Sequence, residues 1–250
     1  ELVVDANSPA ATPAPTLAAD SDSGVSDSDN LTHHTTPTLT GTGAEAGASV
    51  TIRVDGISVG SATANGSGDW AFTLAEGDLS EGLNTIDTLV SDSAGNTSSA
   101  SADLALILDT TAPTANNDTT ATVREDAGET LLTNVNGSGD KLTDNDTGAD
   151  DTVPVTSVNN RADALGSAVA GSNGGRFIVN TDGTASFDPN GEFEALAYGE
   201  TRTTGVTVDV QDSAGNVSSS TLTATVEGVN NAPTIATNAG PSVKAGRSVT

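Results

Sequence analysis

The chain has 250 residues, no cysteine, and 34 acidic against 8 basic side chains, for a formal charge of -26. With no basic patch to meet phosphates, nucleic acid is excluded as a partner, and without cysteine neither disulfides nor thiolate metal sites are available. No run approaches the ~18–20 apolar residues of a membrane span, so membrane insertion is excluded as well.

Taken in chain order, Glu1–Asp5 lacks the basic and apolar regions of a signal peptide and reads as the last strand of a preceding unit, so that residues 1–7 form an end and a linker. A first unit covers 8–112. Helical periodicity is absent from it, and apolar and polar residues alternate. Short strands are predicted near Pro15–Ala18 and Pro37–Thr40, then at Val50, Ile52 and Val54, which end at the Asp55–Gly56 turn pair. Ser58–Ala64 leads into Asn65–Gly66. Trp70, Phe72 and Leu74 point one way from the next strand, followed by Ile86, Thr88 and Val90 and by Leu104, Leu106 and Leu108. About seven short strands at this spacing describe an immunoglobulin-like sandwich.

A second unit covers 113–232, with strands predicted at Thr120–Arg124, Val153–Val158, Arg176–Asn180, Thr184–Asp188, Val206–Val210 and Leu222–Val226. A Gly- and Asp-rich segment, Asn134–Asp151, interrupts them, and Glu192–Leu196 suggests one short helical turn. Residues 233–250 read as the start of a further repeat. The predicted fold class is all-β, with tandem antiparallel sandwiches joined by short linkers.

One stretch recurs. Val90-Ser91-Asp92-Ser93-Ala94-Gly95-Asn96 returns as Val210-Gln211-Asp212-Ser213-Ala214-Gly215-Asn216, and Ala112-Pro113-Thr114 as Ala232-Pro233-Thr234. A fixed period of this kind marks domains joined end to end, an arrangement that sets reach and spacing rather than chemistry. On these motifs the first unit resembles the bacterial Ig-like repeats of very large secreted adhesins. The segments that carry the resemblance are Asp20-Ser21-Asp22-Ser23-Gly24, Thr36–Thr42, Val54-Asp55-Gly56, Ala62–Gly68 and Asp92–Asn96, with Asp109–Pro113 similar to that family's linker. The second unit resembles VCBS or cadherin-like repeats through Asn117-Asp118, Glu125-Asp126, Phe187–Gly191, Leu196 and Asn230–Pro233. The resemblance implies an extender region of a type I-secreted RTX-type adhesin. Such a region is extracellular, on the bacterial surface, and monomeric. Its repeats are stiffened by Ca²⁺ and partner their neighbours through that ion, for adhesion and biofilm formation.

Candidate ligands follow the acidic turns. Asp20, Asp22, Asp27 and Asp29 place four carboxylates on one loop, which suits a cation that takes six to eight oxygens. Val25 and Leu31 stand where an EF-hand has its Gly and its last Glu, so the loop is not an EF-hand. In a sandwich of this plan the turn before the last strand and the loop after the first lie at opposite poles. Asp92 then faces the linker at Asp5, and Asp212 faces the linker containing Asp109 and Asp118, with the Asp20–Asp29 loop approaching from the first unit. The same Asp-Ser-Ala-Gly-Asn pattern is also an ordinary turn sequence. By resemblance, Asp144 and Asp146 belong to a VCBS acidic loop, and Glu125 and Asp126 serve a further junction beyond Asn230.

Enzymatic patterns are missing. His33 and His34 have no third ligand of a suitable type nearby, and no Gly-x-Ser-x-Gly elbow stands between a strand and a helix. The alternative to an extender is a module that itself binds a sugar or a protein. Against it, Trp70 sits in a core pattern, and only Tyr198 is left as an exposed ring.

Overall fold

The computed structural model describes residues 5–133, 135, 139–148 and 155–230. Asp150, Asp151, Val153 and the segment from Asn231 onward, for which the sequence predicts an acidic cluster, a strand start and a new repeat, lie outside the described residues. Within them every regular element is a strand, apart from single 3-10 turns at Ala19–Ser21 and Ala162–Ala164.

The first domain contains β1 (Thr16–Leu17), β2 (Leu31–Thr32), β3 (Thr38–Gly41), β4 (Ser49–Val54), β5 (Ile57–Thr63), β6 (Trp70–Thr73), β7 (Gly82–Ser91) and β8 (Leu104–Leu108). They form a three-stranded sheet, β1-β3-β6, facing a five-stranded one, β2-β8-β7-β4-β5. Alternation decides which side chains meet between the sheets: Val50, Ile52 and Val54 of β4 and Leu104, Leu106 and Leu108 of β8 are all buried. Each such side chain contributes about 1.5–3 kcal/mol on leaving water. Asp55 and Gly56 both take positive φ in the two-residue link between β4 and β5, as the sequence pair predicts.

The second domain contains β9 (Asp118–Thr119), β10 (Val123–Arg124), β11 (Thr130–Leu131), β12 (Val155–Val158), β13 (Ala168–Ala170), β14 (Arg176–Val179), β15 (Ala185–Asp188), β16 (Thr201–Gln211) and β17 (Val217–Glu227). One sheet runs β10-β17-β16-β12, with β9 also on β17, and the other β11-β15-β14-β13. Phe177, Phe187 and Phe193 are buried at its centre, with ring centroids 4.6 and 6.4 Å apart. The two domains have separate cores that share no residue.

Three features differ from expectation. Of the segment 120–124 only Val123–Arg124 is strand, and β2, β9, β11 and β13 appear where no strand is predicted, because strands of two or three residues are too short to show alternation. The residues 192–196 form no helix but a turn closed by the Leu196 N–H on the Phe193 carbonyl at 2.9 Å. Finally, the sheets are not purely antiparallel: β2 runs parallel to β8, and β9 and β10 run parallel to β17. The alternating pattern fixes which face is apolar but carries no strand direction.

That last feature places the acidic loop. β1 pairs in one sheet and β2 in the other, so the chain crosses between sheets through residues 18–30. Because β2 pairs with Ile107 and Leu108 at the end of β8, the loop lies at the pole where the chain leaves for the second domain. The Asp109 N–H donates to the Thr32 carbonyl at 2.9 Å.

Candidate functional site

The loop after β1 is a turn-rich segment whose carboxylates organise its own backbone. Asp22 Oδ2 accepts the Asn30 N–H at 3.2 Å and Asp29 Oδ1 the Leu31 N–H at 3.1 Å. Asn30 adopts positive φ, a conformation Asn tolerates better than most residues. Asp22 is buried, and its Oδ1 has no hydrogen-bond partner. Burial raises its carboxyl above the ordinary range, the Asn30 N–H opposes this, and Asp29 and Asp27 push it higher again. Asp20, Asp27 and Asp29 are exposed. The structure therefore gathers Asp22, Asp27 and Asp29, and leaves Asp20 outside that electrostatic group.

From the other side comes the turn between β16 and β17. Asp212 is fully buried. Its Oδ1 accepts the N–H groups of Gly215 and Asn216 at 2.8 and 2.9 Å, and its Oδ2 accepts Asn216 Nδ2 at 2.9 Å. The same Nδ2 donates across the joint to the Asp109 carbonyl at 2.9 Å. The first domain's loop seats directly on this turn. Ser23 Oγ donates to the Ala214 carbonyl at 2.6 Å, the Val25 N–H to the Ser213 carbonyl at 3.3 Å, and His33 Nδ1 lies 2.8 Å from the Ala214 oxygen. Since a carbonyl only accepts, that ring nitrogen carries the proton. Ser23 Oγ also accepts the His33 N–H at 2.9 Å. A Cβ on Gly24, which has φ +95°, would stand 1.9 Å from the Ser213 oxygen. Only glycine permits this approach.

Beside these contacts the linker is crowded with like charge. Asp109 Oδ1 accepts the Thr111 N–H at 2.9 Å. Burial raises the Asp109 carboxyl, and the neighbouring charges of Asp212 and Glu81 raise it further. Burial would also raise Glu81, but hydrogen bonds from Thr110 N (3.0 Å), Thr110 Oγ1 (2.9 Å) and Thr111 Oγ1 (3.3 Å) leave it lowered and ionised. Asp109 is thus held between two carboxylates. Among the described residues, no three Asp, Glu, His or Cys side chains stand close enough together to hold a metal ion as they are placed.

The remaining candidates occupy other places. At the opposite pole of the first domain, Asn96 Nδ2 reaches the Asp5 carbonyl at 3.2 Å and Asp92 Oδ2 at 2.8 Å. Asp118 is not in the linker: it is fully buried on β9, opposite Leu222. Asp146 Oδ1 accepts the Asn116 N–H at 2.7 Å, so its loop is fastened to the start of the second domain, while Asp144 Oδ2 caps Lys141 N at 3.0 Å. Asp146 Oδ2 and Asn145 Oδ1 are solvent-inaccessible without hydrogen-bond partners, and burial raises the Asp146 carboxyl. Glu125 is buried and its Oε1 accepts the Val229 N–H at 3.0 Å, next to Asn230. Asp126 instead pairs with Arg124 at 3.2 Å on the surface. Trp70 is core and Tyr198 is 81% exposed.

Sequence reasoning misses Glu81, Gly24 and His33. Glu81 belongs to none of the recurring acidic patterns, and the contacts of the two others with Ser213 and Ala214 come from the other domain, so no local pattern marks their place at the joint.

Residues 9–110 match the family model of a bacterial Ig-like domain, and residues 110–225 that of a bacterial Ig domain. The chain is a tandem of two bacterial Ig-like domains. A comparison with curated proteins finds no match. Among solved structures, it is similar to a 1.5-MDa bacterial ice-binding adhesin, at 20% identity over 88% of this chain and 65% of that one, with a TM-score of 0.47. It is also similar to a Ca²⁺-stabilised ice-binding adhesin of an Antarctic bacterium, at 22% identity over 91% and 51%, with a TM-score of 0.49. A third is Drosophila N-cadherin, domains EC1-3, at 14% identity over 80% and 62%, with a TM-score of 0.28. The chain spans less than two thirds of the length of each of these three. Among the described residues, no helix is long and apolar enough to cross a membrane.

Proposed function

We propose that these two Ig-like domains are part of the extender region of a large bacterial surface adhesin, a non-catalytic, extracellular spacer whose joint calcium stiffens. The observation that carries this reading is the joint itself. A loop of one domain seats on a turn of the next, and Asp109 lies there between Glu81 and Asp212. Like charges brought together at a partly desolvated site oppose docking, and a hard divalent cation that takes carboxylate and carbonyl oxygens relieves that opposition.

Asp109, Glu81 and Asp212 would hold the ion at the linker, with Asp22, Asp27 and Asp29 offering a second set on the adjoining loop. The orphaned buried Oδ1 of Asp22 fits a cation better than solvent. The adhesin assignment is supported by the ordered motifs of both units and by the two Ig-like matches, while the VCBS-like and RTX character of the parent rests on the sequence motifs alone. A sandwich of this kind adds roughly 35–45 Å of reach per copy, from strand rise plus loops.

The test is solution scattering and melting of the whole chain, in millimolar Ca²⁺ and in chelator. Calcium should narrow the range of interdomain distances and raise the melting temperature by several degrees. Binding to the native state alone contributes about 2.7 kcal/mol at a hundredfold excess over Kd. Identical scattering and melting in the two buffers would remove calcium from the account and leave the joint to its hydrogen bonds.

A further inference from the structure

The Asp92–Asn96 turn repeats the docked turn in the bonds between its Asp carboxylate and its Asn. Asp92 Oδ1 accepts the Asn96 N–H at 2.8 Å and Asp212 Oδ1 accepts that of Asn216 at 2.9 Å. Each Asn then reaches one linker carbonyl, that of Asp5 or that of Asp109. The linkers correspond as well. Asp5 Oδ1 accepts the N–H two residues on, from Asn7 at 3.0 Å, as Asp109 Oδ1 accepts that of Thr111 at 2.9 Å. A proline follows four positions after each, Pro9 and Pro113. At the first turn, however, Ser93, Ala94 and Gly95 are exposed, and no described atom lies within 4 Å of where a Cβ on Gly95 would be.

We propose that this open pole of the first domain is a docking face for a further domain. The partner it fits carries at its far end a loop like residues 23–33: a serine hydroxyl, a glycine without steric bulk, a free amide after it and an imidazole N–H. These groups supply the donors that the carbonyls of Ser93 and Ala94 accept, as those of Ser213 and Ala214 do in the joint already formed. A second copy of this chain's first domain is such a partner. Charge alone does not select it, since both faces are acidic; the selection lies in close backbone approach and three directional donors. The inference rests on the tandem-domain joint and is independent of calcium.

The experiment joins a second copy of residues 9–108 directly to Asp5 of the complete chain, so that Asp5 takes the place of Asp109. The added copy is segmentally labelled with ¹⁵N. If the face docks as proposed, the Val25 amide of the added copy exchanges about tenfold or more slowly than a free loop amide, as expected of a hydrogen bond that opens only locally. Its chemical shift should approach that of Val25 in the native joint. Gly24→Val in the added copy alone should abolish both effects, while the dispersed amides of Val50 and Val90 in that copy report that it remains folded. Free exchange at the added Val25, with the native joint still protected, would overturn the proposal. So would protection that survives Gly24→Val.

Discussion

In the first domain the turn between β7 and β8 leaves Ser93, Ala94 and Gly95 in solvent; in the second, the turn between β16 and β17 has Asp212 and Ala214 buried and Ser213 and Gly215 half-buried. Both have the same five residues, the same bonds from the Asn main-chain and side-chain amides to the Asp carboxylate, and the same reach of an Asn amide to a linker carbonyl. What differs is the loop that lies on one and not on the other. The turn is therefore complete as a local structure, and its burial is added by the neighbouring domain rather than required for its shape. Asx-type turns close on their own. Domain stacking uses the carbonyls that such a turn leaves pointing outward.

The comparison is broken most strongly by filling the space at the contact. Gly24→Val puts a Cβ where the Ser213 oxygen already stands, so the loop has to leave the turn. Both cores should stay folded, because they share no residue, while scattering reports a wide spread of interdomain distances. Gly95→Val meets no neighbour. It should cost only the positive-φ penalty of about 1–2 kcal/mol, read as a lower melting temperature of the first domain with the joint intact. Equal scattering from the two variants would show that Gly24 is not the close point of the joint.

A smaller difference is expected from the carboxylates. Asp212→Ala removes the buried acceptor of three hydrogen bonds and should destabilise the second domain by about 3 kcal/mol. Asp92→Ala should cost far less, because water can reach the amides that the side chain releases. The Asn96 amide holds the Asp92 carboxyl below its usual range, but the group is open to water on one side and solvent screens the contact. Chemical denaturation of each variant measures the contrast. Similar losses would mean that burial of Asp212 adds nothing to its bonds.

How much of this was legible depends on the range of the interaction. The Asp-Ser-Ala-Gly-Asn pattern, the strand alternation of Val50–Val54 and Leu104–Leu108, and the meeting of the 20–29 loop with Asp109 and the Asp212 turn all follow from local chemistry and sandwich topology. The parallel course of β2 beside β8 did not, since a two-residue strand has no period. The sequence reading places Asp118 in the linker with Asp109, yet the second domain's sheet draws it in as its first paired residue. Glu81 earns its place only through Thr110 and Thr111, residues some thirty positions away.

The smallest expected effect belongs to His33, and it sharpens the comparison most. Its ring donates to Ala214, a contact for which the open turn has no counterpart among the described residues. One neutral hydrogen bond of this kind contributes about 1 kcal/mol, or about a fivefold change in the ratio of docked to undocked joints. His33→Phe keeps the ring's bulk and its contact with His34, whose centroid is 4.4 Å away, but removes the donor. His33→Asn offers an amide N–H close to the position of Nδ1 and should retain most of the bond. Exchange of the Val25 amide, which donates to Ser213 beside it, reads the ratio directly: faster in His33→Phe, near native in His33→Asn, with the melting of each core unchanged. Protonating the ring should not release the joint, since imidazolium and the Nδ1-protonated neutral ring both donate here. If His33→Phe and His33→Asn exchange alike, the imidazole fills space at the joint, and the latch consists of Ser23 and the Val25 amide alone.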